Sequence, residues 1–198
     1  FYVGGGNTRN LLVLWKEWGG DLLLKEAWDN GAILAGISAG SICWFEQGLT
    51  DSVTGKLLPL ECLGFLKNSN CPHFDGDKER RPAYHRLIAQ GLMKNGIACD
   101  DGVAAHFING YVNKFVSSRK YAKAYQLELI MNPQENICIP FNNNIWSPAM
   151  TDDELDTIND DHQDCYINRS YSSLPATNDC TENIDDCIDG DYDKEFVV

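Results

Sequence analysis

The chain has 198 residues, 43% of them hydrophobic, and a formal charge of −13. That length allows one domain with a sizeable core, and the acidic balance leaves no basic face to neutralise phosphates, which excludes nucleic acid as an expected partner. Neither a basic leader ahead of an apolar stretch nor an apolar run of about eighteen residues occurs, so neither a signal peptide nor a membrane span is expected, and a cytoplasmic protein is.

The charge is concentrated. From residue 151 onward there are fifteen acidic residues against two basic ones, Arg169 and Lys194, so this stretch carries the entire excess. Residues 1–150 are therefore expected to form the folded domain, and 151–198 an acidic, disordered tail poor in apolar periodicity. The eight cysteines, at 43, 62, 71, 99, 138, 165, 180 and 187, are scattered and contain no C-x-x-C pair. Buried thiols in a reducing compartment are the expected reading.

In chain order, "FYV" reads as a strand end running into the glycine turn "GGGNT". "RNLLVLWKEWGGDLLLKEAWDNG" has helical spacing, with Leu11, Leu12 and Trp15, then Leu22, Leu23 and Ala27, on recurring faces. Gly19-Gly20 is expected to interrupt it and Asn30-Gly31 to close it. "AILAGIS" reads as a short buried strand of a parallel sheet, and "AGSICWFEQG" as a short helix ending at Gly48. "LGFLKNSNCPHFD" suggests a strand whose end carries Pro72-His73. "DKERRPAYHRLIAQGLMKNG" reads as an amphipathic helix with Asp77 as N-cap and Gly96 as its stop. "IACDDGVAAHFING", "YVNKFVSS" and "AYQLELI" read as three strands. This alternation implies an α/β fold with a mainly parallel sheet.

The chemistry-bearing stretch is Gly36-Ile37-Ser38-Ala39-Gly40, a G-x-S-x-G sequence between an apolar strand and a helix start. In such an elbow, small flanking residues permit a strained turn that holds the serine hydroxyl out at the strand's carboxyl end. A small-residue packing turn explains the same five residues as well, so the partners of Ser38 must decide. Of the four histidines, His162 falls in the acidic tail, His85 inside an amphipathic helix and His106 in a strand. His73 stands on a loop at a strand's carboxyl end, where sites of open α/β sheets form, and is the expected base. Asp51 in "GLTDS" is the expected orienting acid, with Glu46 as its competitor and Asp75 and Asp77 as further alternatives. The "GGGNT" turn lacks G-x-G-x-x-G spacing and a following Gly-Lys-Ser/Thr, which argues against a nucleotide loop. A backbone N–H aimed at an oxyanion accounts for its glycines equally well. "DDCIDGDYDKEF" lacks the oxygen ligands that a calcium loop requires, with Cys187 and Phe196 at ligand positions.

Taken in order, "VGGGNT", "GISAGS", "TDS" and "PHFD", with "GIACDDGVAAHF" and "SSRKYAKAYQLEL" beyond them, resemble the peptidase E (aspartyl dipeptidase) family of serine peptidases, to which cyanophycinase is related. The resemblance runs from residue 1 to about 130. It implies a fold like that of class I glutamine amidotransferases, a flavodoxin-like three-layer sandwich. It also implies a serine-type dipeptidase-like activity: Ser38 as nucleophile, His73 as general base, Asp51 as the acid, and Gly6 and Ala39 as oxyanion-hole donors. Asn7 is an implied substrate contact. No metal or organic cofactor is implied. The expected partners are a small peptide substrate and, as an open possibility, a second copy of the chain. Members of that family carry a strand–helix–strand portion ahead of the glycine loop, so this sequence is expected to lack its first strands. Specificity for N-terminal aspartate requires a cationic contact, and Arg80, Arg81 and Arg119 are unranked candidates. Two alternatives stay open. One is an esterase-type hydrolase, disfavoured because only 35 residues separate Ser38 from His73. The other is an inactive remnant with a binding or regulatory role.

Overall fold

The computed structural model describes residues 1–132, 137–146 and 193–198, with side chains described for 1–129 and 193–198. The elements run β1 (Tyr2–Val3), α1 (Thr8–Trp18), α2 (Gly20–Asp29), β2 (Leu34–Gly36), α3 (Ala39–Ile42), β3 (Phe45–Thr50), β4 (Leu58–Glu61) and β5 (Leu66–Cys71). They continue through α4 (Arg80–Ala89), β6 (Gly96–Cys99), β7 (Val103–Ile108), β8 (Tyr111–Ser117), β9 (Ala124–Asn132), β10 (Ile137–Trp146) and β11 (Glu195–Val197). Strands order as β1-β2-β11-β7-β8 in one sheet and β10-β9-β6-β5-β3-β4 in the other.

The α/β class is the one expected, and the arrangement is consistent with a flavodoxin-like sandwich. Both sheets are mixed, however, rather than mainly parallel. Parallel pairings join β1 to β2, β2 to β11, β3 to β5 and β5 to β6, while β4, β7, β8, β9 and β10 pair antiparallel with their neighbours.

Two buried clusters draw on the six-stranded sheet: alternation separates Cys99 from Ala98 and Ala124 from Tyr125, while the register shift between Phe45 and Gln47 lets Phe45 and Leu49 of β3 join different clusters. Phe45, Leu66, Cys99 and Ala124 join one buried cluster with Leu12 and Trp28 of the helices, Leu34 of β2 and Phe107 of β7. Leu49, Cys71, Ala98, Tyr125 and Leu127 join the other, with Ala83, Tyr84, Leu87 and Ile88 of α4. The first cluster is aromatic: Trp28 lies 4.9 Å from Phe196 between ring centres, and Trp44 5.9 Å from both Phe65 and Phe196.

Several boundaries differ from the sequence reading for identifiable reasons. The helix after the serine ends at Ile42, because Trp44 and Phe45, both fully buried, enter the core as β3 begins. Tertiary burial overrides local helix propensity there. Helix α4 stops at Ala89, followed by Gly91 in the left-handed region, and Gly96 instead begins β6. Asp77 accepts the Glu79 N–H at 3.0 Å just ahead of the helix, whose N-cap position is Glu79. On α2 the inward residues are Leu24 and Trp28, whereas Leu22 and Leu23 are exposed.

The end of the expected disordered tail is ordered. Strand β11 inserts between β2 and β7, pairing Phe196 with Leu34 and with Phe107, and Phe196 is wholly buried. The remainder of the tail, residues 151–192, lies outside the described residues. No helix among the described residues is long and apolar enough to cross a membrane. Cys43, Cys71 and Cys99 are buried free thiols and Cys62 is a half-buried one, while Cys138, Cys165, Cys180 and Cys187 lie outside the residues whose side chains are described.

Candidate active site

The elbow is built by close packing. Gly36 ends β2, and a Cβ there would lie 2.1 Å from the Gly40 carbonyl oxygen; a Cβ on Gly40 would lie 2.1 Å from the Val3 carbonyl oxygen. Both glycines of G-x-S-x-G are thus required by the approach of α3 to β2 and β1, not by the serine alone. Between them Ser38 is held at φ 58°, ψ −118°, a conformation that non-glycine residues rarely adopt. Strain of about 1–3 kcal/mol at one residue persists only where the surroundings over-determine it. Here the Gly40, Ser41 and Ile42 N–H groups close on the Ile37 and Ser38 carbonyls, and the Ser41 hydroxyl donates to the Ser38 carbonyl at 2.8 Å.

The glycine loop lies directly against this turn. A Cβ on Gly5 would sit 3.3 Å from Ser38 Cβ and 3.7 Å from Ser38 Oγ, and Gly6 has φ +147°, open to glycine. Ala39 is the first residue of α3, so its N–H belongs to the helix start that lacks an intrahelical acceptor.

His73 follows the end of β5 and also has positive φ, at 57°. Its Nδ1 lies 2.5 Å from Asp101 Oδ1. Asp101 stands just beyond β6, the parallel neighbour of β5, with Cys71 in register with Ala98. Two adjacent parallel strands therefore deliver the imidazole and the carboxylate side by side at their carboxyl ends. The contact is close because Gly76 has no side chain: a Cβ there would lie 2.6 Å from Asp101 Oδ2.

Ser38, His73 and Asp101 line one cavity of about 380 Å3, together with Gly36, Ile37, Ser41, Asn70 and Asp100. Burial raises the Asp100 carboxyl above its ordinary range, partly offset by the Lys123 N–H it accepts at 2.9 Å. Cys99 also lines the cavity, but burial pushes its thiol up to about 12, so it is no competing nucleophile.

The other residues singled out from the sequence lie elsewhere. Asp51 is exposed at the end of β3, where its carbonyl accepts the Gly55 N–H at 2.9 Å; the carboxylate on His73 belongs to Asp101 instead. Glu46 joins a separate ion-pair group, 2.9 Å from Lys94 and 3.3 Å from Lys67, and accepts the Asn68 N–H. These contacts hold its carboxyl down at about 2. Asn7 caps α1 through Oδ1 and donates Nδ2 to the Ser52 carbonyl at 3.1 Å. Both ends of its amide are engaged in tying the glycine loop to the "TDS" turn. Asp75 accepts the Asp101 N–H, and Asp77 lies beside Arg80. His106 pairs with Glu195 across β7 and β11 at 2.9 Å, and His85 stacks on Phe74. His162 lies outside the described residues.

None of the three candidate arginines lines the cavity. Arg80 donates to the Leu49 carbonyl, Arg81 covers the Phe74 and Tyr125 rings, and Arg119 pairs with Asp75.

Asp101, whose carboxylate lies against His73, is not among the acids singled out from the sequence. In the sequence "ACDDG" reads as part of a strand, and the acids that stand out are Asp51, Glu46, Asp75 and Asp77. The available signal was topological: the strand after α4 pairs with the one bearing the histidine, so the turn ending it arrives beside His73.

Two comparisons bear on this geometry. An uncharacterized peptidase, YgaJ, from Bacillus subtilis strain 168 is 59% identical over 139 residues, which cover 70% of this chain and 60% of that relative. The chain thus matches about three-fifths of the relative's length. The model for peptidase family S51 matches residues 1–115, which span the glycine loop, the elbow, the histidine and Asp101. On these grounds the chain belongs to peptidase family S51.

Proposed function

We propose that this protein is a serine-type peptidase that hydrolyses small peptides through Ser38, His73 and Asp101. The observation that carries the reading is the convergence on one cavity of a serine in a strained elbow and a histidine whose Nδ1 is already bound to a carboxylate. A serine hydroxyl becomes a useful nucleophile only beside a base that is itself oriented.

In the proposed reaction, Ser38 Oγ attacks the scissile carbonyl carbon while His73 Nε2 accepts the hydroxyl proton. Asp101 holds Nδ1–H and so fixes the tautomer in which Nε2 is free to accept. The tetrahedral oxyanion is held by backbone N–H groups of the glycine loop, at Gly6, and of Ala39. His73 then gives its proton to the leaving nitrogen as the C–N bond breaks, leaving an acyl ester on Ser38. Water, deprotonated by His73, attacks that ester and releases the acid and the free hydroxyl.

In this proposal Asp101, rather than Asp51, takes the role of the acid, because its carboxylate is the one on His73 Nδ1. The cavity is at the small end of the range for ligand sites, which favours short peptides. No cation lines it among the described residues, so aspartate specificity has no support from this site.

The test is hydrolysis of a panel of dipeptides and tripeptides, followed by amine release. The full chain is expected to cleave members of the panel, and Ser38→Ala to lose at least about 10³-fold in kcat. Equal hydrolysis by the Ser38→Ala protein would overturn the proposal.

A further inference from the structure

The backbone of Asp101 is held at both its N–H and its carbonyl by one pair of side chains. Asp75 Oδ1 accepts the Asp101 N–H at 2.7 Å, and Asp75 Oδ2 accepts from Arg119 Nη1 at 2.8 Å. The same Arg119 nitrogen donates to the Asp101 carbonyl oxygen at 2.9 Å. The three residues close a ring: carboxylate to N–H, carbonyl to guanidinium, guanidinium back to carboxylate.

Arg119 is itself anchored. Ser117 Oγ accepts its N–H at 3.1 Å and donates to its carbonyl at 2.7 Å. The neighbouring Ser118 donates its N–H at 2.9 Å to the carbonyl of Gly102, the residue after Asp101. Gly102 takes φ +81°, and a Cβ there would meet Ser118 Oγ at 2.8 Å and Arg119 Cδ at 3.0 Å. The strand end after β8 and the turn after β6 are therefore fitted to each other around this ring.

The arrangement needs a reason, because the Asp75–Arg119 pair is too exposed to stabilise the fold much. Arg119 is 53% and Asp75 32% exposed at the side chain, and such pairs contribute little to stability. What the pair does fix is direction. Asp101 is on a turn with its own side chain 47% exposed, yet its Oδ1 must stay within bonding distance of His73 Nδ1. A loop-borne carboxylate keeps that geometry only if its backbone is immobilised.

We propose that Asp75 and Arg119 are a positioning pair for the reaction, clamping the Asp101 peptide so that its carboxylate holds the His73 imidazole toward Ser38. This inference rests on the serine-peptidase reading above. Neither residue touches substrate; both act through Asp101.

The test uses the full chain and a fluorophosphonate probe, which reports the reactivity of the serine without a known substrate. Arg119→Ala and Asp75→Asn are expected to lower the maximal labelling rate about tenfold while the half-saturating probe concentration changes by less than about twofold. Arg119→Lys, which restores a donor and a positive charge, is expected to recover most of the loss. In an Asp101→Ala background the Arg119→Ala change is expected to cost nothing further, since the group it positions is gone. Thermal melts of Arg119→Lys and Asp75→Asn confirm that folded proteins are compared. An unchanged rate in Arg119→Ala, additive losses in the double variant, or failure of lysine to rescue would overturn the clamp. If instead Asp101→Ala itself labels at the wild-type rate, the triad reading fails. A slow Asp101→Ala with a normal Arg119→Ala sinks the clamp alone.

Discussion

Asp101 and Asp51 make the sharpest contrast between single residues in this molecule. Both follow the end of a strand in the six-stranded sheet, yet only Asp101 lies on the strand next to the histidine's own, at 2.5 Å from Nδ1. Asp101→Asn is expected to lower kcat by about 10³–10⁴-fold with little change in melting temperature, because an amide opposite Nδ1 favours the wrong tautomer. Asp51→Asn is expected to leave kcat within about twofold and the melting temperature nearly unchanged, since an exposed turn position rarely contributes more than ~0.5 kcal/mol. Parallel kinetics and thermal melts of the two variants check this. The positions of Ser38 in its elbow and of His73 at a strand end are legible from the sequence because both are local patterns. That of Asp101 is not, because its proximity arises from the pairing of β5 with β6, and pairing is not written in any one segment. The glycines were the residual signal: Gly76 and Gly102 each clear space for the Asp101 turn.

At the scale of elements, the site depends on how tightly α3 is set against β1 and β2. Gly40→Ala would drive a methyl group into the Val3 carbonyl. Nothing there is a flexible side-chain end, so the strands must separate. A loss of about 1–3 kcal/mol is expected, with activity falling further because Ser38 moves with the elbow; chemical denaturation alongside kinetics measures both. A different element-level contact is set by charge. Glu46 of β3 is bound by Lys94, by Lys67 and by the Asn68 N–H, and its carboxyl is held down at about 2. A group whose folded pKa is depressed contributes stability that is present above its unfolded value and is lost as pH falls through the folded one. Glu46→Gln is therefore expected to melt lower than wild type at neutral pH. The difference should shrink as pH drops from about 4.5 toward about 2. A gap that stays constant over that window would refute the linkage. Element boundaries were less readable than the elements themselves. Trp44 and Phe45 sit in a stretch with helical composition, but two fully buried aromatics can be satisfied only by turning into the sheet.

For the whole molecule, the decisive feature is that residues from the two ends of the described chain share one sheet. β11 brings Phe196 between β2 and β7, into contact with Trp28 and Trp44, and Val197 and Val198 reach the cavity wall. Phe196→Ala is expected to destabilise the fold by about 3–5 kcal/mol, measured by urea or thermal unfolding. Removing the last four residues is expected to do at least as much harm, because β2 and β7 then lose their common partner. The acidic composition of the preceding stretch hid this strand: three residues of alternating burial at the end of a charged run carry almost no periodic signal. The α/β class, by contrast, was readable, since alternation of strand and helix patterns covers most of the first hundred residues.

Ser38 and His73 are proposed to act together in one cavity, and site mapping of a fluorophosphonate adduct tests that most directly. After labelling the full chain and digesting it, mass spectrometry is expected to find the phosphonyl group on the peptide containing Ser38. The adduct should be nearly absent in a folded His73→Ala protein. An adduct on another residue, or equal labelling of Ser38 with and without the imidazole, would contradict the account.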